Sequence, residues 1–232
     1  MRPISVMLYA AGFGTRMGAL TAHQPKPMVQ VAGKPLIDHA LAVIDAAGIT
    51  DITINLHYLG AQIEQHLKHR SVKFSHETTQ ILETGGGLKA AANLLGPGPV
   101  LTLNSDAIWT GQNPISQLLA AWNPAQMDAL LLLMPQDKAL GHSGTGDFLL
   151  DATNRITRAK GAKAPIYLGA QILKTERVFA MSETVFGLNT IWDQIIDEGR
   201  AYGILHQGGW CDVGHPGGIA QAEALLRGNG DV

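Results

Sequence analysis

The sequence predicts an α/β fold: one Rossmann-like domain, with a mixed, mainly parallel sheet and helices on both faces. Short apolar runs alternate with segments of helical period along most of the chain. Those runs lack the polar alternation of a half-solvated strand, as expected for strands covered on both faces. The first run also passes straight into a glycine-containing turn, the usual start of a ligand crevice at the carboxyl edge of such a sheet.

Taken in order, Ser5–Ala10 reads as the first strand. Leu36–Ala47 is an amphipathic helix: Leu36, Ile37, Ala40, Leu41, Ile44 and Ala47 share one face, and Gly48 ends it. Asp51–Leu56 is a strand, Gly60–Lys68 a helix and Lys73–His76 a short strand. Gly87–Leu95 reads as a helix, stopped by Gly96-Pro97-Gly98-Pro99. Val100–Asn104 and Ala129–Met134 are strands, with a helix near Ile115–Ala121 between them. Beyond a polar loop at Gly141–Gly146, Phe148–Leu150, Tyr167–Leu173 and Ala201–His206 read as strands and Leu188–Asp197 as a helix. Pro216–Leu226 is a closing helix with proline at its start. No repeat, low-complexity tract or long linker divides the chain, so 1–232 is expected to be a single domain with halves at 1–110 and 111–232.

The bulk numbers exclude several classes. The 232 residues are 46% hydrophobic and 16% charged, which argues for a folded core and against disorder. A net charge of −2, from 17 basic and 19 acidic side chains with no basic run, argues against nucleic acid as a partner. Cys211 is the single cysteine, so an intrachain disulfide and a cysteine zinc site are both excluded. The amino-terminal apolar run is too short for a signal peptide, and no window is apolar enough to span a bilayer. A cytoplasmic protein without a membrane partner is expected. No oligomerisation module is recognisable after the closing helix, so a monomer is expected.

The segment Leu8-Tyr9-Ala10-Ala11-Gly12-Phe13-Gly14-Thr15-Arg16-Met17, followed by Gln24-Pro25-Lys26-Pro27-Met28, carries the chemistry. A strand that runs into small residues and glycines lets backbone N–H groups approach phosphate oxygens. Arg16 adds a planar fork and Lys26 a compact charge whose backbone is fixed by a proline on each side. Ala10, Ala11, Gly12, Gly14, Thr15, Arg16 and Lys26 are therefore the candidate nucleotide-binding residues, with Arg16 and Lys26 the catalytic candidates. The dinucleotide fingerprint fails, because Met17 stands where its third glycine belongs, and the P-loop ending Gly-Lys-Ser/Thr is absent.

These motifs, continued through Gly33-Lys34-Pro35-Leu36-Ile37, resemble the opening of the sugar-1-phosphate nucleotidyltransferases. A proline usual near Gly18 or Ala19 is missing, while Leu20-Thr21 and the charged residues stay in register. The resemblance extends along nearly the whole chain. It implies a nucleotide-binding half at 1–110 and a sugar-binding half with closing helix at 111–232. Glu83-Thr84-Gly85-Gly86-Gly87-Leu88 resembles the family's second glycine loop, which implies that Gly85 and Gly86 lie at the nucleobase. Leu103-Asn104-Ser105-Asp106 resembles the strand end that usually reads Gly-Asp. Gly144-Thr145-Gly146-Asp147-Phe148 and Gly169 resemble sugar-side elements, so Asn104, Asp147 and Gly169 are the implied substrate contacts. Within the family, the short length and the Glu-Thr-Gly-Gly-Gly loop resemble the uridylyltransferases that act on N-acetylmuramate 1-phosphate in cell-wall recycling, with mannose-1-phosphate guanylyltransferases as the rival branch; a non-catalytic nucleotide-sensing module is the alternative from another class, which the retained Asp106 and Asp212 argue against.

The metal site is also argued from the residues. Mg2+ takes oxygen ligands, typically one or two carboxylates plus substrate phosphates and water. Asp106 follows a buried strand at the expected crevice, and Asp212 sits among Gly208, Gly209 and Gly214 in a segment with no local reason for rigidity. The expected partners are thus a nucleoside triphosphate, a sugar 1-phosphate and Mg2+ on Asp106 and Asp212. The sequence leaves open which base and sugar are used. His66 and His69 read as solvated; His142 and His215 lie in candidate substrate loops and could touch the sugar, though an ordinary loop histidine is the favoured reading; Cys211 reads as inert, and Trp109 and Trp210 are equally readable as core or sugar platform.

Overall fold

The computed structural model describes residues 4–228. In chain order, β1 (Ser5–Tyr9), the hairpin β2 (Gln30–Val31) and β3 (Lys34–Pro35), α1 (Leu36–Ala46), β4 (Ile52–Leu56), α2 (Gly60–His66) and β5 (Lys73–His76) open the chain. Next come α3 (Glu83–Ala90), α4 (Ala92–Leu95), β6 (Val100–Asn104), β7 (Ala107–Gly111), α5 (Pro114–Ala121) and β8 (Ala129–Met134). The remainder is β9 (Phe148–Leu150), β10 (Ile156–Arg158), β11 (Ile166–Leu173), α6 (Glu176–Ala180), α7 (Asn189–Asp197), β12 (Ala201–Leu205), β13 (Gly208–Asp212) and α8 (Pro216–Gly228).

Seven strands form one sheet in the order β12-β8-β11-β6-β1-β4-β5. All neighbours are parallel except β11, which runs against both β6 and β8. The predicted mixed, mainly parallel sheet is therefore present. Its strands are uniformly apolar because alternate residues face two different cores. Val6 and Leu8 of β1 and Leu130 and Leu132 of β8 meet α1, α2 and α5. Met7, Leu131 and Leu133 point the other way, into a core closed by α3, α4, α6, α7 and Phe148 of β9. Both faces are covered, as a parallel sheet requires.

A third core departs from the sequence expectation. β13 pairs with β7 in an antiparallel ribbon, which places Asp212 opposite Ala107 and Trp210 opposite Trp109. α8 packs Ala222 and Leu226 against Ile108, Cys211 and Val213 of that ribbon. Asp212 is thus held by cross-strand pairing in a segment whose glycine content hides a strand. The glycines serve contact: a Cβ at Gly208 would fall 2.0 Å from the Thr110 carbonyl oxygen, and one at Gly209 2.5 Å from Thr110 Oγ1.

The helix expected at Gly87–Leu95 begins four residues earlier, at Glu83, and breaks into α3 and α4. Its glycines sit inside the helix, against neighbours that leave no room for a side chain. A Cβ would fall 2.4 Å from the Phe186 ring at Gly85, 2.2 Å from the Thr184 carbonyl oxygen at Gly86 and 2.7 Å from Glu77 Oε1 at Gly87. Among the described residues, no helix is long and apolar enough to cross a membrane.

Candidate active site

A cleft of about 230 Å3 opens at the carboxyl ends of β1, β4 and β6. Ala10, Ala11, Gly12, Lys26, Asn104 and Asp106 line it, together with Tyr9, Asn55, Glu77, Glu83 and Thr84. A larger, more apolar cavity of about 560 Å3 lies at the opposite end of the strands, between Ile4, Ile49, Pro97 and Trp122. None of the predicted site residues lines it, so the chemistry belongs to the smaller cleft.

The loop after β1 is shaped around Lys26. Gly14 is left-handed, with φ 65, and a Cβ there would stand 2.8 Å from Lys26 Cβ. Its carbonyl oxygen accepts from Met17 N–H at 2.9 Å and from Thr21 Oγ1 at 3.0 Å, which turns the chain into the 3-10 segment Thr15–Thr21. Pro25 is extended and Pro27 buried, so the Lys26 backbone is fixed from both sides, and the lysine itself is only 9% exposed. Its Nζ meets Asp106 Oδ2 at 2.6 Å.

Asp212 completes the centre. Val213 N–H donates to the Asp106 carbonyl oxygen at 2.9 Å, which clamps the two acidic segments together. A Cβ at Gly214 would fall 2.7 Å from Asp212 Oδ2 and 3.0 and 3.1 Å from the two terminal guanidinium nitrogens of Arg16, so that glycine leaves space for both groups. Burial first, then the Asp106 carboxylate, raises the pKa of Asp212 from its ordinary value, against the pull of Lys26, Arg16 and His142. Arg16, Lys26, Asp106 and Asp212, far apart in sequence, meet at one place. Thr15 lies beside them on the exposed start of the 3-10 segment.

The two carboxylates fit Mg2+. A pair of hard oxygen donors, one of them on the buried Asp212, suits a divalent cation. Among the described residues no group of three or more acidic, histidine or cysteine side chains is placed to hold a metal ion.

Other expected contacts fall differently. Ala10 N–H donates to Asn55 Oδ1 at 2.8 Å, so this amide is used inside the protein and leaves Ala11 and Gly12 to face a ligand. Gly85 and Gly86 do not line the cleft: both N–H groups donate to the Phe186 carbonyl oxygen, at 2.9 and 3.0 Å, and Glu83 and Thr84 take the rim. Glu83 is itself left-handed, with φ 62, a strained choice for a residue with a side chain. Gly169, with φ 79, supports Asn104: a Cβ there would stand 2.6 Å from Asn104 Nδ2. Asp147 stands away from the cleft lining, and its Oδ2 accepts from Tyr167 N–H at 2.8 Å as a staple between β9 and β11.

Sequence reasoning missed a buried brace. Asn55 Nδ2 donates to Glu77 Oε1 at 2.7 Å, and Glu77 Oε2 accepts from Leu82 N–H at 2.7 Å. Glu77 is 3% exposed, so a buried carboxylate ties the loop after β1 to the entrance of α3. The readable signal was Asn55 itself, a polar residue inside the apolar run Ile-Thr-Ile-Asn-Leu. His142 lies within electrostatic reach of Asp212, with its ring 6.4 Å from that of Trp210. Trp210 is core, and Trp109 is partly buried against it.

Comparison with known proteins decides the family. Residues 6–166 match the model of the MobA-like NTP transferase domain. The chain belongs to this nucleotidyltransferase family. Over 97% of its length the transferase is 39% identical to N-acetylmuramate alpha-1-phosphate uridylyltransferase of Caulobacter vibrioides, of which it covers 97%. It is 33% identical, over 96% of its length, to the protein so named in Neisseria meningitidis serogroup B, of which it covers 98%. Its fold is also that of a putative glucose-1-phosphate thymidylyltransferase from Bacillus anthracis. The TM-score is 0.77 at 18% identity, with 97% of this chain and 95% of the other covered. By sequence the transferase is thus of the sugar-1-phosphate type.

Proposed function

We propose that the protein transfers a uridylyl group from UTP to N-acetylmuramate 1-phosphate, releasing pyrophosphate, in the cytoplasm as a step of peptidoglycan recycling. The gathering of Arg16 and Asp212 beside Lys26 and Asp106, which line the cleft, carries the reading, because it supplies the charges that a triphosphate and a sugar phosphate require. The full-length likeness to two proteins named for this reaction supports the choice of base and sugar.

The acceptor's phosphate oxygen attacks the α-phosphorus of UTP, and the bond from that phosphorus to the bridging oxygen of pyrophosphate breaks. The nucleophile is already largely ionised near neutral pH, with a second pKa of about 6, so no general base is needed. Lys26 holds the reacting phosphates, and its contact with Asp106 aims the ammonium before substrate arrives. Arg16 and the amides after β1 take the charge that develops on pyrophosphate. Asp106 and Asp212 hold Mg2+, which when bound neutralises phosphate charge and polarises the phosphoryl oxygens.

The test is a matrix of ATP, CTP, GTP and UTP against N-acetylmuramate, N-acetylglucosamine, glucose and mannose 1-phosphates with Mg2+. Nucleotide-sugar and pyrophosphate formation are both scored. Highest kcat/KM for UTP with N-acetylmuramate 1-phosphate is expected; preference for GTP with mannose 1-phosphate overturns the assignment.

A further inference from the structure

We propose that His142 is an acceptor-binding residue whose ring N–H donates a hydrogen bond to an anionic oxygen of the acceptor. The inference rests on reading the cleft as that of a sugar-1-phosphate transferase. β13 has two edges, and each places a different segment beside Asp212. On one edge, β7 brings Asp106. On the other, Leu140 N–H donates to the Trp210 carbonyl oxygen at 3.2 Å and Asp212 N–H to the Leu140 carbonyl oxygen at 2.9 Å. The chain 140–142 is thereby fixed against the strand that carries the acidic centre.

The residues around His142 are shaped to seat it. Gly141 is left-handed, with φ 72, and a Cβ there would fall 2.0 Å from the Asp212 carbonyl oxygen. A Cβ at Gly144 would fall 2.4 Å from His142 Nε2. The Gly144 carbonyl oxygen is itself tied down by Gln136 Nε2 at 2.9 Å. Trp210, 5% exposed, provides a wall for the imidazole. Two glycines, a buried indole and a strand edge thus hold one half-buried ring beside the centre. That ring makes no hydrogen bond to any described side chain or backbone group. A neutral imidazole carries one N–H in either tautomer, so the role needs no protonation.

The side of the centre also matters. Lys26 and the loop after β1 occupy the nucleotide half, and Lys26 is already paired with Asp106. In the other half, Lys174, Arg177 and Arg200 pair with Asp128 just before β8, and Arg158 pairs with Asp193. Those cations are engaged elsewhere. His142 is a donor of the 111–232 half that the pairing of Leu140 with β13 sets beside Asp212. The acceptor has two candidate anionic sources, its 1-phosphate and, for N-acetylmuramate, the lactyl carboxylate on the sugar.

The experiment compares wild type, His142→Ala and His142→Gln with UTP and two acceptors, N-acetylmuramate 1-phosphate and N-acetylglucosamine 1-phosphate. In His142→Ala the acceptor KM is expected to rise about tenfold or more, as for a lost hydrogen bond to a charged group. The KM for UTP and the melting temperature stay unchanged, and glutamine restores part of the loss through its own N–H. A rise confined to the muramate acceptor assigns the contact to the carboxylate, and an equal rise with both assigns it to the phosphate. An acceptor KM within twofold of wild type overturns the proposal, as does a common loss of UTP affinity and stability. Wild type inactive with both acceptors overturns the proposed pairing of UTP with these sugars and this inference with it, whereas an active wild type beside an unaffected alanine variant sinks His142 alone.

Discussion

Replacing Glu77 by glutamine tests the brace behind the cleft. The carboxylate accepts two bonds at 2.7 Å, one at each oxygen, from Asn55 Nδ2 and from Leu82 N–H. A glutamine of the same shape has one acceptor oxygen, so its amide nitrogen must face one of those donors. The change converts one charge-assisted bond of about 1.5–3 kcal/mol into a weaker neutral one and leaves a buried donor unpaired at about 1–3 kcal/mol. Removing a buried carboxylate returns part of this, because its burial carried a desolvation penalty. The net loss is about 3 kcal/mol, which for a domain of this size lowers Tm by roughly 6–12 °C. Thermal denaturation of Glu77→Gln, Asn55→Ala and the double variant measures it, and coupling between the two sites of about 0.5–3 kcal/mol is expected. A Tm within about 2 °C of wild type for Glu77→Gln would refute the reasoning, since no charged brace would then be present.

Three further outcomes are expected. Lys26→Met lowers turnover by roughly 10²–10³ with an unchanged circular dichroism spectrum, and near-normal pyrophosphate release would exclude Lys26 from the reaction. Asp128 is held down to about 2 by its hydrogen bond from Arg200 and then by Lys174. Its stabilisation is therefore complete above the unfolded carboxylate range and is lost as pH falls from about 4 towards 2. Discounted for partly exposed partners, Asp128→Asn costs about 1–2 kcal/mol at pH 7 and nothing near pH 2; urea midpoints across that range decide, and a pH-independent difference would contradict the ion-pair account. Gly169→Ala imposes a side chain on a left-handed residue and on Asn104, so a loss of about 1–3 kcal/mol with a raised acceptor KM is expected, and unchanged urea midpoints and kinetics would show that position 169 accepts a side chain without strain.

The sheet was legible because its apolar runs, such as Ala129–Met134, are buried along their whole length and leave no ambiguity of face. The ribbon of β7 and β13 was not, because Gly-Gly-Trp-Cys-Asp carries weak strand propensity and is specified by its partner strand and α8. At the site, Arg16 and Lys26 were readable from residue chemistry, and Asp106 and Asp212 from that chemistry together with the family resemblance; the structure brings the four side by side. Gly85 and Gly86 misled because a glycine run signals close approach without saying to what; here the neighbour is Phe186 and Thr184, about 100 residues downstream. Asn55 was visible as a polar interruption, but Glu77 follows a strand end and looked like any surface carboxylate. His142 had no local signal, since its setting depends on Leu140 pairing with β13.

The shared acidic centre is tested most directly by electron paramagnetic resonance of Mn2+ titrated into the protein with UTP, for wild type, Asp106→Asn and Asp212→Asn. One bound ion per wild-type chain is predicted, with affinity weakened at least tenfold in each variant while the fold persists. Equal Mn2+ binding by all three proteins would contradict the claim that these two aspartates hold the metal.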